Sequence, residues 1–382
     1  MLRLRPISWR VRDRIPLRAM IVVYVVLTVV LPARAQVLNR MNLERVNGRL
    51  AGHVIDYTNN HGSDRRINSP ILGMPRDLYV YLPPGYDPAR AYSLVLFFHM
   101  ADVDELFFIG PKLLSELDSL IARGEVPPVV VACPDGTYEG WNRFNAKHSL
   151  YVNGGGGRFE DHILQEVIPF LLANFSIRPE REAHALLGAS AGGYGAMGLA
   201  IKHRDFFGAA ATLAAPLNLR YSNCDGDYFE NFDPSTFRWK TRYDRDEVIG
   251  KFYSGLMKVH ARRFMSPVFG EGEAAAARIA QTNPADLIET TNLQPGQLAI
   301  YVSYPGRDNF NFDAQDQSFQ WVAAQRGIAV TLVCDPGATH SLSYTRNNIR
   351  PAFLWLGQQL LPPAVNLNLP SVSLGPPTLK GQ

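Results

Sequence analysis

The chain has 382 residues, of which 46% are hydrophobic and 19% are charged, and its formal net charge is +3. These values are typical of a globular protein with a substantial core, and they exclude wholesale disorder and a protein that crosses a membrane many times. Six arginines among the first 18 residues supply much of the positive charge, so no basic folded surface is indicated and we expect no nucleic-acid partner.

The first 35 residues follow the order of a secretory signal peptide, with basic residues, an apolar run and then small residues. The apolar run covers residues 19–31, and cleavage is predicted after Ala35. The run is shorter than the roughly 20 residues that a membrane-spanning helix needs, which favours a cleaved signal over a retained anchor. We therefore predict an exported protein, periplasmic or extracellular, without stable membrane insertion after cleavage.

Short apolar runs then alternate with segments of helical periodicity. An antiparallel pair of strands is predicted at residues 50–59 and 76–82. Buried parallel strands are predicted over residues 93–98, 128–133, 183–187, 209–213, 298–303 and 329–334, and helices over residues 111–123, 158–175, 192–203, 313–327 and 348–361. This alternation predicts an α/β fold in which a mostly parallel, doubly wound sheet has helices on both faces.

The predicted domain covers residues 36–361. Two stretches depart from the alternation of strands and helices, one inside this domain and one after it. Residues 221–281 are rich in aromatic and charged side chains, and we interpret them as a small inserted cap or lid. Residues 362–382 are rich in Pro, Asn, Ser and Leu without periodicity, which is typical of a disordered tail. The three cysteines cannot all pair, and Cys133 and Cys334 each close an apolar run where a buried free thiol is expected.

The most specific motif is Gly188-Ala189-Ser190-Ala191-Gly192, which follows a predicted strand and opens a predicted helix. Its small residues allow the tight strand-to-helix turn that holds a serine in a strained backbone conformation. This is the context of the nucleophile elbow of α/β hydrolases, and it makes Ser190 the candidate nucleophile. The alternative is a glycine-rich turn without chemistry.

The acid and the base of such an enzyme follow the nucleophile in that order. His340 lies in a turn-rich loop after the last predicted strand, so it is the predicted base. Asp308 follows the strand predicted over residues 298–303 and is the predicted acid. Asp313 and Asp316 are alternative acids, although Asp313 equally suits a helix N-cap.

Two backbone amides complete the predicted chemistry. The amide of Ala191 opens the helix after the serine, and the amide of Ala101, or alternatively that of Met100, lies in the loop after the strand predicted over residues 93–98. The histidine would deprotonate the serine, the acid would fix the imidazole tautomer, and the two amides would stabilise the tetrahedral oxyanion. This chemistry requires no metal and no organic cofactor.

Several further motifs accompany this turn between residues 76 and 361. They are Val80-Tyr81-Leu82-Pro83-Pro84-Gly85-Tyr86, Pro134-Asp135-Gly136, Phe159-Glu160-Asp161-His162 and the segments that contain Asp308 and His340. With them the chain resembles the esterase D family of α/β hydrolases, which includes feruloyl and acetylxylan esterases, enterochelin esterases, S-formylglutathione hydrolase and the antigen 85 mycolyltransferases. The resemblance implies a triad of Ser190, Asp308 and His340 and oxyanion amides at Ala101 and Ala191.

One departure from the family concerns the oxyanion loop. Family members usually have His-Gly after the strand that corresponds to residues 93–98, whereas here His99 is followed by Met100. Because methionine has a side chain and a more restricted backbone than glycine, we expect an altered loop. A degenerate member that binds a ligand without catalysis is therefore an alternative interpretation.

The candidate substrate-binding residues are Trp141, Asn142 and Phe144, which follow the carboxyl end of a predicted strand. Open α/β sheets bind ligands there, and these side chains are suited to stack on a sugar or an aryl group; packing of the aromatics against the cap is the alternative. Together with export and the family resemblance, they favour hydrolysis of a carbohydrate or aryl ester. Transfer of an acyl group to a sugar is the alternative reaction, and the sequence leaves the oligomeric state open.

Overall fold

The computed structural model describes residues 43–61, 63–138 and 147–366, which belong to a unit that begins at Leu43. The predicted signal peptide and its cleavage site lie outside the described residues. The strands are β1 (His53–Tyr57), β2 (Ile67–Ser69), β3 (Met74–Arg76), β4 (Leu78–Leu82), β5 (Arg90–Ala91), β6 (Ser93–Phe98), β7 (Val129–Pro134), β8 (Asn153–Gly154), β9 (Gly157–Arg158), β10 (His184–Ala189), β11 (Ala209–Leu213), β12 (Tyr221–Ser222), β13 (Arg238–Trp239), β14 (Val248–Phe252), β15 (Met257–His260), β16 (Ala299–Pro305), β17 (Thr331–Asp335) and β18 (Ala364–Val365).

The α-helices are α1 (Leu43–Asn47), α2 (Leu106–Ile109), α3 (Leu113–Ala122), α4 (Phe159–His162), α5 (Ile168–Asn174), α6 (Ala191–Lys202), α7 (Ala261–Phe264), α8 (Ser266–Phe269), α9 (Gly272–Ala280), α10 (Pro284–Thr290), α11 (Phe312–Gln325) and α12 (Leu342–Gln359). A π-helical turn, Ile163–Val167, joins α4 to α5, and a 3₁₀ turn covers Arg181–Ala183. In the part of the chain that the structure describes, no helix has both the length and the apolar composition needed to cross a membrane.

Eight strands form one sheet in the order β1-β4-β7-β6-β10-β11-β16-β17. The strands from β7 to β17 in this order are parallel to one another. Strand β4 runs against them and pairs antiparallel with both β1 and β7, so the antiparallel opening pair is also present. The prediction of a mostly parallel, doubly wound sheet is confirmed.

Helices cover both faces of the central strands. Successive side chains of a strand point to opposite faces, so each strand packs against helices on both sides of the sheet. Leu96 and Phe98 belong to one core cluster with Met197 of α6. Phe97, on the opposite face, stacks on Phe108 of α2 with ring centroids 6.0 Å apart. Each large apolar side chain buried in this way contributes about 1.5–3 kcal/mol. The two layers therefore stabilise the sheet and fix the positions of its carboxyl ends.

Residues 221–281, which we call the cap segment, lie between β11 and β16. They contain the two-stranded sheets β12–β13 and β14–β15 and the helices α7, α8 and α9. Their apolar side chains pack in a second core cluster with Ala191 and Tyr194 of α6. The cap segment therefore contacts the helix that follows Ser190, and its action as a lid stays a prediction.

Three local features differ from the sequence predictions. Helix α12 begins before residue 348 because Ser341 caps it, its side chain accepting a hydrogen bond from the amide of Tyr344 (3.1 Å). Cys133 is buried, but Cys334 is exposed because β17 is the edge strand of the sheet. Strand β18 pairs antiparallel with β5, so regular structure continues past the predicted tail boundary at residue 362; residues 367–382 of that tail lie outside the described residues.

Candidate active site

Ser190 lies between the end of β10 and the start of α6, at the carboxyl edge of the sheet. Its φ of 49° and ψ of −121° belong to neither helical nor extended backbone. A strained conformation of this kind is typical of a nucleophile elbow. The Ser190 amide donates a hydrogen bond to the carbonyl of Leu213 in the neighbouring strand (2.9 Å). The backbone is thus locked while the hydroxyl is presented at the sheet edge.

Two glycines make this turn possible. A Cβ at Gly188 would lie 2.3 Å from the carbonyl oxygen of Gly192, and a Cβ at Gly192 would lie 2.2 Å from the carbonyl oxygen of Phe98. Side-chain carbons do not approach backbone oxygens so closely, so α6 starts this near to β10 and β6 because both positions lack a side chain. The contact at Gly192 also brings the loop after β6, which contains Ala101, beside the elbow.

The structure joins Ser190, His340 and Asp308 by hydrogen bonds. Nδ1 of His340 lies 2.9 Å from Oδ2 of Asp308, and Nε2 lies 3.1 Å from Oγ of Ser190. An ionised carboxylate only accepts hydrogen bonds, so Nδ1 carries the proton and donates it to Asp308. Nε2 is therefore the acceptor, and the Ser190 hydroxyl donates to it. This is the proton arrangement in which a histidine can act as the base for a serine.

Aromatic rings and a backbone amide hold this arrangement in place. The Asp308 side chain is fully buried, and its Oδ1 accepts a hydrogen bond from the amide of Phe310 (2.7 Å). The His340 ring meets Phe310 and Phe312 edge to face, with centroids 5.0 and 5.2 Å away. These contacts restrict rotation of the imidazole, so Nε2 stays directed at Ser190.

The alternative acids occupy helix α11 instead. Burial, with a smaller contribution from the Asp308 charge, raises the pKa of Asp313 to about 6. The same two causes, in the same order, raise the pKa of Asp316 well above its ordinary value. Burial of this kind favours the neutral carboxylic acid over the charged carboxylate. Of the three candidates, the structure brings Asp308 to His340.

The loop that carries Ala101 is anchored through His99. The His99 amide donates a hydrogen bond to Oη of Tyr151 (3.2 Å), and the amide of Gly136 donates to Nε2 of His99 (2.9 Å). Because Nε2 accepts, Nδ1 carries the proton and donates to the carbonyl of Met100 (3.0 Å). His99 therefore ties the oxyanion loop to the Pro-Asp-Gly turn through buried hydrogen bonds.

Met100 does not occupy a position that requires glycine. Its side chain is buried, and the described residue of this loop with a left-handed φ is Asp102, at 64°. The amide of Ala191 is the first of α6, and the first amides of a helix have no partner within it and carry partial positive charge. The loop of Ala101 thus lies beside the start of α6, and the oxyanion role of the two amides stays a prediction.

The predicted substrate-binding residues Trp141, Asn142 and Phe144 lie outside the described residues, and their role stays a prediction. The chain approaches this segment through an isolated antiparallel bridge between Thr137 and His148. The Pro-Asp-Gly turn before it is held by an ion pair between Arg76 and Asp135 (2.6 Å), both buried.

Sequence reasoning missed Phe310, Phe312 and the anchoring role of His99. The two phenylalanines alternate with asparagines just after Asp308, and an aromatic pair directly after a candidate acid was the available signal. His99 sits at the end of an apolar run, where a polar side chain must find a partner. Among the described residues, no group of three or more His, Cys, Asp and Glu side chains is arranged to hold a metal ion.

The doubly wound sheet, the elbow and the hydrogen-bonded Ser-His-Asp side chains define a serine hydrolase of the α/β-hydrolase fold. A family model described as "Putative esterase" matches residues 69–344. This match covers most of the chain, and the protein belongs to this esterase family. The resemblance predicted from the motifs and the prediction of a carboxylic ester hydrolase are thereby confirmed.

Curated relatives match parts of the chain. Esterase Rv1288 of Mycobacterium tuberculosis is 28% identical over 160 residues, which is 41% of this chain and 32% of that protein. Endo-1,4-beta-xylanase Y of Acetivibrio thermocellus is 32% identical over 107 residues, which is 28% of this chain and 9% of that protein. The matched part is therefore about a third of the length of the first relative and less of the second.

Solved structures match more of the chain at lower identity. A ferulic acid esterase has a TM-score of 0.58 at 14% identity and covers 81% of this chain and 99% of its own. S-formylglutathione hydrolase from Agrobacterium tumefaciens has a TM-score of 0.57 at 16% identity, with 81% and 96% covered. The serine hydrolase FphF of Staphylococcus aureus has a TM-score of 0.52 at 17% identity, with 80% and 98% covered. At these identities the likeness concerns the fold.

Proposed function

We propose that this protein is an exported serine esterase that hydrolyses carboxylic esters through Ser190, His340 and Asp308. One observation carries the proposal, namely the continuous hydrogen-bonded path from Oγ of Ser190 through the imidazole of His340 to Oδ2 of Asp308. It begins at a strained elbow and ends at a fully buried carboxylate. A serine held only for packing needs neither feature.

In the proposed mechanism, Oγ of Ser190 attacks the ester carbonyl carbon while His340 takes the hydroxyl proton. Asp308 stabilises the resulting imidazolium, and the amides of Ala101 and Ala191 donate to the oxyanion. The tetrahedral intermediate then collapses, and the departing alkoxide receives the proton from the imidazolium. Water repeats the sequence on the acyl-enzyme, with the same histidine as base, and releases the acid and the free serine.

The proposed substrate is an ester of a carbohydrate or of an aryl acid. The aromatic ring of Phe310 lies beside His340, and Phe264 of the cap segment extends this apolar wall, with its centroid 6.5 Å from that of Phe310. A wall of this kind suits an aryl acyl group. Trp141 and Phe144 are proposed to stack on the sugar or aryl group. The ferulic acid esterase among the fold relatives supports this substrate class.

The experiment uses residues 36–382, because the buried apolar side chains of the described core lie between Val54 and Leu360. Hydrolysis of p-nitrophenyl acetate, p-nitrophenyl butyrate and methyl ferulate is measured for the wild type, Ser190→Ala and the matched control Ser235→Ala, a change in an exposed turn of the cap segment. A fluorophosphonate probe is applied to all three. We expect hydrolysis and labelling in the wild type and the control, with both lost in Ser190→Ala.

Folded wild-type protein that neither hydrolyses these esters nor reacts with the probe would contradict the assignment of Ser190 and favour a ligand-binding protein. Adding excess sugar during turnover tests the second half-reaction. We expect the free acid to remain the main product, and formation of a sugar ester in its place would replace hydrolysis by acyl transfer.

Export is tested separately from catalysis. The full chain is produced in a bacterial host, and the cytoplasmic, periplasmic and medium fractions are analysed by mass spectrometry. We expect mature protein that begins at Gln36 outside the cytoplasm, since the proposal places cleavage after Ala35. Unprocessed protein confined to the cytoplasm would contradict it.

A further inference from the structure

Three exposed apolar side chains lie together at the turn between β14 and β15 in the cap segment. Tyr253 is 59% exposed, Leu256 70% and Met257 41%. We call residues 253–257 the hairpin tip. Single exposed apolar residues are ordinary on a protein surface, but a group of them at one turn indicates a contact surface.

The backbone of the hairpin tip keeps these side chains outside the core at a cost in strain. Tyr253, Ser254 and Gly255 have consecutive left-handed φ values of 51°, 56° and 85°. A bulky aromatic residue rarely adopts this conformation, and such strain is concentrated at functional sites. Asparagine or glycine adopts a left-handed φ at less cost than tyrosine, so the turn alone does not account for Tyr253.

Two lysines lie directly behind the hairpin tip. Lys251 and Lys258 are opposite each other in the register of β14 and β15, and both are exposed. Like charges opposite each other in an antiparallel pair are destabilising. Nζ of Lys251 lies 3.8 Å from the centroid of the Phe229 ring, a cation–π contact that leaves its positive charge in place. The lysine pair therefore adds positive charge to this surface, and its two members repel each other across the hairpin.

The acidic residues of the hairpin lie at its other end, where cations neutralise them. Asp246 pairs with Arg262, and Glu247 pairs with Lys240. At about 3.3 Å per strand residue, these pairs lie roughly 15 Å from the turn. From the turn inward, the order is apolar side chains, then the two lysines and then the ion pairs. Apolar side chains backed by lysines are the combination that binds the interface of an anionic membrane.

We propose that the hairpin tip docks the protein on an anionic lipid surface, with Tyr253, Leu256 and Met257 among the acyl chains and the two lysines at the head groups. Apolar residues inserted about 5–10 Å deep are enough for such binding. A second copy of the chain is a poorer occupant, because a twofold contact between tips would oppose four lysines. The small tip also falls short of the about 1,000 Å² that a stable protein interface buries.

Docking here would hold the carboxyl edge of the sheet, where Ser190 lies, close to the lipid surface. The amide of Lys251 donates to the carbonyl of Asn309 (2.8 Å), and Nδ2 of Asn309 donates to the carbonyl of Lys251 (3.0 Å). Phe252 packs on Phe310 with centroids 5.3 Å apart. The hairpin is thus bonded to the loop that carries Asp308. Binding to the lipid surface itself does not depend on the proposed esterase activity.

The test is flotation of residues 36–382 with vesicles of phosphatidylcholine alone and with vesicles of equal parts phosphatidylcholine and phosphatidylglycerol. We expect the wild type and Ser190→Ala to float with the anionic vesicles only. Leu256→Asp should lose at least about tenfold in partitioning, because the leucine side chain no longer contributes its burial among the acyl chains, and Lys258→Glu about fivefold or more. The matched control is Leu172→Asp, at a leucine of α5 that is 42% exposed, and it should float like the wild type.

Flotation of Leu256→Asp equal to that of the wild type, or no flotation of the wild type, would overturn the proposal. Loss of flotation in Leu172→Asp as well would overturn it by showing a general effect of surface charge. Sedimentation velocity adds a second readout: a wild-type dimer that Leu256→Asp dissociates would place a second copy on the tip instead. Thermal melting and p-nitrophenyl acetate hydrolysis, both expected to be unchanged in Leu256→Asp, show that the variant is folded.

Discussion

Oδ2 of Asp308 accepts a hydrogen bond from Nδ1 of His340 at 2.9 Å, across 32 positions of the sequence. The two residues follow β16 and β17, which are parallel neighbours in the sheet. Parallel neighbours end at the same edge, so their following loops meet there. The fold therefore supplies the contact, and the amide of Phe310 fixes the carboxylate that makes it.

This contact predicts which carboxylate serves as the acid. Asp308→Asn should lower kcat for p-nitrophenyl acetate by about 10³- to 10⁴-fold, because an amide no longer fixes the productive imidazole tautomer. Asp313→Asn is the matched control and should stay within about twofold of the wild type, since the ring of His340 is not bonded to it. A large loss in Asp313→Asn with little effect of Asp308→Asn would reverse the assignment.

We expect the variant Asp313→Asn to be more stable than the wild type in a pH-dependent manner. The pKa of Asp313 is raised from 3.8 to about 6 in the folded protein, chiefly by burial. The folded state therefore binds this proton more tightly than the unfolded state, and stability falls as the pH rises from about 4 through about 6. After a discount for partial solvent screening, removing the charge should add about 1 kcal/mol to the free energy of unfolding above pH 7.

Urea unfolding of the wild type and Asp313→Asn at pH 4 and pH 8 tests this difference. The gain should be present at pH 8 and absent at pH 4. Asp205→Asn, at an exposed aspartate, is the control and should change stability at neither pH. An equal gain for Asp313→Asn at both values would show that its charge is not the cause.

The close approach of α6 to β6 predicts a strong effect of one added methyl group. Gly192→Ala would place Cβ 2.2 Å from the carbonyl oxygen of Phe98 and 2.4 Å from that of His99. We expect a loss of about 1–3 kcal/mol in the free energy of unfolding. Activity should fall as well, because a shift of α6 also displaces the amide of Ala191 and Ser190, which directly precedes the helix.

Gly357→Ala is the matched helical control for this effect. Its Cβ would meet Val126 Cγ2 at 3.2 Å, a contact that a side chain can relieve. Stability should change by less than about 1 kcal/mol, with kcat unaltered. Equal losses in the two variants would indicate that the spacing at Gly192 is not special.

The aromatic contacts of His340 predict that Phe310 is a positioning residue. Phe310→Ala should lower kcat by about 10- to 100-fold, because the imidazole is free to turn away from Ser190. Phe310→Leu restores apolar bulk and should recover most of the activity. Phe232→Ala removes an aromatic contact of the cap segment with Trp321 and should leave kcat within about twofold. Loss of thermal stability without loss of kcat in Phe310→Ala would contradict a positioning role.

The parallel sheet and the candidate nucleophile could be predicted from the sequence alone. Both depend on short-range patterns: apolar runs of strand length between helical periods, and Gly188 and Gly192 on either side of Ser190. Because a strand-to-helix turn is built from consecutive residues, its glycines and its serine can be recognised in the sequence. The start of α12 was predicted too late, because its cap at Ser341 lies in a loop that carries no apolar repeat.

The choice among Asp308, Asp313 and Asp316, which lie within nine positions of one another, depends on three-dimensional contacts, and these bring Asp308 to His340. Which of them faces His340 depends on the pairing of β16 with β17 and on the turn held by the Phe310 amide. The exposure of Cys334 likewise follows from the place of β17 at the sheet edge. The contact of Asp308 with His340 and the exposure of Cys334 both depend on how distant parts of the chain pack together. Residue type and spacing along the sequence do not specify that packing.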